Sequence, residues 1–259
     1  MLRRFRMAWL MSTMLIAGCA SLPEPDRAHG AFVAREVEVG GTLRRYQVFV
    51  PSRAASGAKP AVVVFLHGSG EIGTDGVKPT LVGLGPYLRS HQDEFPAIVV
   101  FPQLREGESW DDGADFAFAA LRAASEEFQG DPDRTYLTGI SLGGYGVWTL
   151  ARLQPQRFAA LVPVCGGIGR DTTTAPYAET AQRFRDKPIW IFHGAKDDDV
   201  LPEQSRRIAA ELKSIGARDA RYTEFPDADH NAWDPAYATP ELWAWMFAQR
   251  PETFDKAPL

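Results

Sequence analysis

Read for the alternation of hydrophobic and polar positions, the chain divides into short apolar runs separated by longer amphipathic stretches. Ala61–Leu66 and Ala97–Phe101 are continuous runs rich in Val and Ile, the pattern of parallel strands buried on both faces. Thr135–Ile140, Ala160–Val164, Pro188–Phe192 and Ala220–Phe225 predict further strands. Ahead of them, residues 36–50 read as a hairpin turning at Gly40-Gly41, with Tyr46, Val48 and Val50 on one face of its second arm. Helical patterns fill the intervals at Thr80–His91, Ala114–Phe128, Leu142–Leu153, Ala175–Phe184, Pro202–Ile215 and Pro240–Gln249. Regular alternation after a lead hairpin predicts a three-layer α/β fold, with a mostly parallel central sheet, helices on both faces and a mixed first edge. The longest interval between core elements, Gly167–Pro188, holds little more than one of these helices, so no large cap domain is expected.

The N-terminus has a different pattern. Arg3, Arg4 and Arg6 precede an apolar stretch from Met7 to Ala17, which is too short to span a bilayer. This is the order of charged and apolar regions in a secretory signal peptide. The stretch ends Leu15-Ile16-Ala17-Gly18-Cys19, which resembles the lipobox of bacterial lipoproteins, where the cysteine becomes the lipid-modified first residue. Residues 1–18 are therefore expected to be a signal peptide, residues 19–35 a lipidated N-terminus and tether, and residues 36–259 one folded domain. Ala20, in place of Asp, resembles lipoproteins sent on to the outer membrane, so the expected location is exported and membrane-anchored, facing the periplasm or cell surface.

Composition narrows the classes of function. The 259 residues are 45% hydrophobic and 24% charged, ordinary for a globular domain. The net charge of −5 becomes −8 once residues 1–18, with three Arg and no acid, are removed. That balance excludes nucleic acid as the main partner. Two Cys exclude a disulfide framework, and Cys165, left without a partner in the mature chain, is expected to be a buried small hydrophobe. No cluster of His, Cys and carboxylates has metal-ligand spacing, and no phosphate-cradling glycine loop occurs, so neither metal nor cofactor is expected. Nothing in the pattern assigns an oligomeric state.

The sharpest chemical signal follows the Thr135 strand. Gly139-Ile140-Ser141-Leu142-Gly143 matches G-x-S-x-G between a strand and an amphipathic helix, the setting that holds a serine hydroxyl clear of a sheet on a strained turn. A serine needs a base, and the base needs an orienting acid. After the strand ending at Phe192 comes His193-Gly194-Ala195-Lys196-Asp197, then Val200 and Pro202, which resembles the H-G-x-x-D-x-x-V-P loop whose Asp is a triad acid. Asp197 is the candidate, with Asp198 and Asp199 as rivals. His193 reads as turn packing. His230, in a loop beyond the last strand, has the position of the base. The strand Ala61–Leu66 runs into His67-Gly68-Ser69-Gly70-Glu71, an H-G-x-G turn suited to supply a backbone oxyanion donor. Ser69 N–H is assigned that role, with Gly68 as rival, and Leu142 N–H is the second donor. His67 is expected to bond loop backbone. Trp110 and Trp233 are candidates to wall the substrate pocket, and the roles of Glu71 and Gln103 stay open.

These motifs, in this order over residues 36–250, resemble the α/β-hydrolase superfamily. The similarity is to its carboxylesterase branch, related to feruloyl esterases, polyhydroxyalkanoate depolymerases and the catalytic domains of prolyl oligopeptidases. It implies a serine hydrolase with a Ser141–His230–Asp197 triad acting on small-molecule or polymer-borne esters through an acyl-enzyme. Two alternatives are a peptidase of the prolyl-oligopeptidase type, whose propeller domain this chain has no room for, and a non-catalytic binding lipoprotein on a hydrolase scaffold. The second would usually have lost a triad member, and all candidates are present.

Overall fold

The computed structural model of the chain describes residues 29–52, 58–169, 173 and 175–251. The expected signal peptide, the expected lipidation site Cys19 and the residues up to 28 lie outside them. The first two strands, β1 (Ala31–Val39) and β2 (Thr42–Val50), form a hairpin around Gly40 and Gly41, both at positive φ. Six more follow: β3 (Ala61–Leu66), β4 (Ala97–Pro102), β5 (Thr135–Ile140), β6 (Ala160–Val164), β7 (Ile189–Gly194) and β8 (Ala220–Phe225). They make one eight-stranded sheet in the order β1-β2-β4-β3-β5-β6-β7-β8. Pairing is antiparallel from β1 through β2 to β4 and parallel elsewhere, so the fold is the expected three-layer α/β-hydrolase arrangement.

The helices are α1 (Leu84–Ser90), α2 (Ala114–Glu127), α3 (Leu142–Leu153), α4 (Tyr177–Arg183), α5 (Glu203–Ser214), α6 (Trp233–Tyr237) and α7 (Pro240–Ala248). Every residue of β3 to β7 is buried; β3 and β4 read as unbroken apolar runs, whereas β5 and β7 also bury Thr135, Thr138 and His193. Alternate side chains serve opposite faces. Val62, Val64 and Leu66 pack with α2, α3, α4 and α5 in one core. Val63 and Phe65 pack with Leu84, Tyr237, Leu242 and Met246 in the other, under α1, α6 and α7. Each fully buried Val, Leu or Phe contributes roughly 1.5–3 kcal/mol, so both layers are held by the same strands.

The main departures from expectation are at β1, ahead of α1 and at α6. The strand β1 begins at Ala31 rather than Glu36, because its register with β2 carries the pairing from Val39↔Thr42 out to Ala31↔Val50. The segment expected as one helix from Thr80 is a 3-10 turn (Lys78–Thr80), then Gly83 at positive φ, then α1. The short α6 was not foreseen.

The topology sets the site's location. Adjacent β3 and β5 feed helices on opposite faces, α1 and α3, so their outgoing loops diverge and leave a crevice at the C-terminal edge of the sheet. The loop of His67–Glu71 and the turn at Ser141 flank that crevice.

Candidate active site

Ser141 caps α3 with φ 52°, ψ −118°, a left-handed conformation costly for a non-glycine residue. Its backbone N–H donates to Val164 O at 3.0 Å, fixing the turn to β6. The neighbouring glycines are demanded by close packing: a Cβ on Gly143 would lie 1.9 Å from Leu66 O, and one on Gly139 would lie 2.5 Å from Gly143 O. Any side chain there would push α3 off β3 and β5. Leu142 N–H lies in the first turn of the helix, where no intrahelical acceptor exists.

The loops after β7 and β8 meet beside Ser141. Lys196 N–H donates to Ala228 O at 2.9 Å and Ala195 N–H to Phe225 O at 2.9 Å, tying the two loops together. Gly194 lets them touch, since a Cβ there would stand 2.1 Å from Asp229 O. This union brings three distant residues into one line. His230 Nδ1 is 2.7 Å from Asp197 Oδ2, and His230 Nε2 is 2.8 Å from Ser141 Oγ.

Proton positions follow from the partners. Burial would raise the Asp197 carboxyl, but hydrogen bonds from His193, His230 and Val200 N–H outweigh it and hold the group well below the usual carboxylate range. An ionised carboxylate only accepts, so His230 Nδ1 carries the proton and donates to Asp197. In the neutral ring Nε2 is then free to accept the Ser141 hydroxyl proton. Burial pushes the half-buried His230 down; the bond and charge of Asp197, with the charges of Asp199 and Asp229, push it above its ordinary value.

On the other side of the crevice the loop after β3 is built around His67. Leu104 N–H donates to His67 Nε2 at 2.9 Å, so the ring is neutral and its Nδ1–H donates to Gly68 O at 2.6 Å. Burial lowers this imidazole to about 4, in keeping with the neutral form and the expected structural role. Burial raises the Glu71 carboxyl, and the Glu71 backbone N–H donates to Gly68 O at 3.5 Å, closing the turn. Ser69 is exposed on a 3-10 turn with Gly68 buried beside it, so the N–H groups of both are candidates for the donor to the crevice. A Cβ on Gly68 would sit 3.4 Å from Ser141 Cβ, so this loop lies against the serine. Gln103 is buried and clasps the same segment: its Nε2 donates to Glu71 O at 2.9 Å, and its Oε1 accepts from Gly76 N–H at 2.6 Å.

The two tryptophans part company. Trp233 is half-buried beside the imidazole, edge-on to His230 with ring centroids 5.4 Å apart. Trp110 corrects the expectation. It is 2% exposed, packs edge-on to His67 at 5.1 Å, and donates from Nε1 to His67 O at 3.3 Å. It supports the loop from beneath and does not wall a pocket. Its signal in the sequence is Gly146 in the middle of α3, where a Cβ would lie 2.6 Å from the indole.

Cys165, buried at φ 49°, lies under the same junction, its thiol pushed up to about 12, chiefly by burial. Its Sγ, with donor atoms of His193 and Asp197, forms one grouping within 4.8 Å; Asp197, Asp199 and His230 form another. In both, Asp197 is already engaged by the hydrogen bonds described above.

The fold and this constellation define an α/β-hydrolase. Residues 111–169 and 170–250 match the prolyl oligopeptidase family, and the chain belongs to that family. A crystal structure of a thermostable esterase superposes with TM-score 0.71 and 31% identity, covering 85% of this chain and 63% of that one. A probable carboxylic ester hydrolase, LipM, of Mycobacterium tuberculosis is 24% identical over 191 residues, 55% of this chain and 44% of that protein. An uncharacterized secreted protein of Arthroderma benhamiae is 24% identical over 238 residues, 78% of this chain and 24% of that protein. The chain thus spans less than half the length of either curated relative. Among the described residues no helix is long and apolar enough to cross a membrane.

Proposed function

We propose that the protein is a serine esterase that hydrolyses carboxylic esters through an acyl-enzyme on Ser141. The observation that carries this reading is the unbroken line from Asp197 Oδ2 through His230 to Ser141 Oγ, at 2.7 and 2.8 Å. In the first half-reaction His230 Nε2 removes the hydroxyl proton as Ser141 Oγ attacks the ester carbonyl. Asp197 stabilises the imidazolium, and Ser69 and Leu142 N–H groups bind the oxyanion, each worth roughly 3–4 kcal/mol in the transition state. The imidazolium then protonates the departing alkoxide. In the second half-reaction His230 deprotonates water, which attacks the acyl-enzyme and releases the acid with Ser141 restored. Trp233, beside the imidazole, supplies apolar surface to the substrate.

The likeness to the thermostable esterase and to LipM supports an ester substrate. The family match also favours a second reading, peptide hydrolysis, in which the same imidazolium protonates a leaving amine. A panel of p-nitrophenyl, hydroxycinnamoyl and polyester substrates beside aryl peptides tests the choice. Turnover of esters with no peptide cleavage upholds the esterase; the reverse ranking assigns a peptidase.

For location, the proposal is export and lipid anchoring through Cys19, supported by the run Leu15–Cys19. Labelled palmitate is expected in the wild-type chain and not in Cys19→Ser. Release of wild type as an unlipidated protein would overturn it.

A further inference from the structure

His193 lies at the end of β7 and is fully buried, with both ring nitrogens engaged. Nε2 is 2.8 Å from Val200 O and 3.1 Å from Asp197 Oδ2, and Nδ1 is 2.7 Å from Ser205 Oγ on α5. A carbonyl and a carboxylate only accept, so Nε2 carries a proton and donates a three-centre bond to both. Asp197 Oδ2 therefore receives two imidazoles, His193 from beneath and His230 from the crevice side. The carboxylate's other oxygen accepts Asp199 N–H at 3.0 Å and Val200 N–H at 2.8 Å. One ring thus ties α5, the carbonyl that closes the acid-bearing turn, and the acid itself into one unit. Packing a strand end would need only an apolar side chain; a buried imidazole with three polar partners is a more specific device.

We propose that His193 is a positioning residue of the catalytic centre, holding Asp197 in line with His230 and drawing off part of its negative charge. The proposal rests on the triad reading above. Its chemical consequence is directional. With the His193 N–H removed, Asp197 presents more charge to His230, and the His230 imidazolium persists to higher pH. The other ionisable groups around this junction remain in place in the test variants: Asp199 and Asp229 facing His230, Glu224 paired in register with His193 on β8, and the Cys165 thiol.

The experiment measures kcat, KM and the pH profile of p-nitrophenyl acetate hydrolysis for wild type, His193→Ala, His193→Gln and Ser141→Ala. Active sites are counted by exhaustive fluorophosphonate labelling, so unfolded molecules do not contribute. His193→Ala is expected to lose on the order of ten- to a hundredfold in kcat per site, as misalignment of a catalytic group does. Its KM stays within a few fold, and its acid limb moves upward by about half a pH unit or more. His193→Gln, whose amide N–H reaches the same acceptors, recovers most of kcat and the wild-type limb. Equal losses in both variants with an unmoved limb, or no loss in either, would overturn the positioning role while Ser141→Ala remains inactive. Full activity in Ser141→Ala would overturn the triad reading and this proposal together.

Discussion

His230 Nε2 stands 2.8 Å from Ser141 Oγ, although 89 residues separate the two in the chain. The base comes from the loop beyond β8 and the hydroxyl from the turn beyond β5. Their meeting depends on Gly194, which lets the loops after β7 and β8 touch, and on Gly143, which lets α3 lie against β3.

The first prediction concerns pH. The proposed reaction uses neutral His230, and the pairing with Asp197 raises its pKa despite burial. The rate constant kcat/KM should therefore rise with pH through a midpoint above the ordinary imidazole value of about 6.5. A pH–rate profile with a neutral ester checks this. A midpoint below about 6 would contradict the pairing.

The acid can be assigned by comparing three neighbours. Asp197 is buried with His230 Nδ1 at 2.7 Å, whereas Asp198 and Asp199 are exposed. Asp197→Asn should lower kcat by several orders of magnitude through loss of the imidazole's orientation and of the charge that stabilises imidazolium. Asp198→Asn and Asp199→Asn should stay within about tenfold, roughly 1.4 kcal/mol of barrier. Asp199→Asn should also move the acid limb down, because its charge helps hold His230 above its ordinary value. Steady-state kinetics of the three variants would expose a reversed ranking.

Much of this was readable before the structure, for identifiable reasons. Strands β3 and β4 are buried on both faces, so they appear as unbroken apolar runs such as Val62–Leu66, and their limits were nearly right. Ser141 was legible because only glycine fits at positions 139 and 143. What escaped depended on contacts between distant segments. Trp110 follows a strand at the catalytic end and reads as a pocket wall, yet the turn in which Ser109 N–H and Oγ donate to Asp112 swings it inward beneath His67. His193 resembled strand-end packing because its partners Val200, Asp197 and Ser205 are assembled only by the fold. The five-residue helix α6, with Pro235 inside it, carries too few turns to show a period.

His67 predicts a stability effect with a definite sign. Its folded pKa of about 4 lies below the unfolded value of about 6.5. The stability tied to the neutral ring is fully present above about pH 6.5 and is lost as pH falls toward about 4, by about 2–3 kcal/mol. Glu71, raised by burial, contributes with the opposite sign, so the comparison must be with a variant. Urea unfolding at both ends of the window should show wild type losing more on acidification than His67→Gln. Parallel losses in the two proteins would contradict the buried neutral imidazole.

The central claim is that Ser141 is the nucleophile, activated by His230. Intact-mass and peptide mapping after treatment with a fluorophosphonate tests it most directly. One adduct is predicted, on Ser141, absent from Ser141→Ala and formed much more slowly in His230→Ala, since an unassisted hydroxyl is a weak nucleophile. Ester hydrolysis should disappear with the adduct. A Ser141→Ala protein that keeps wild-type esterase activity, or an adduct on another residue, would contradict the account.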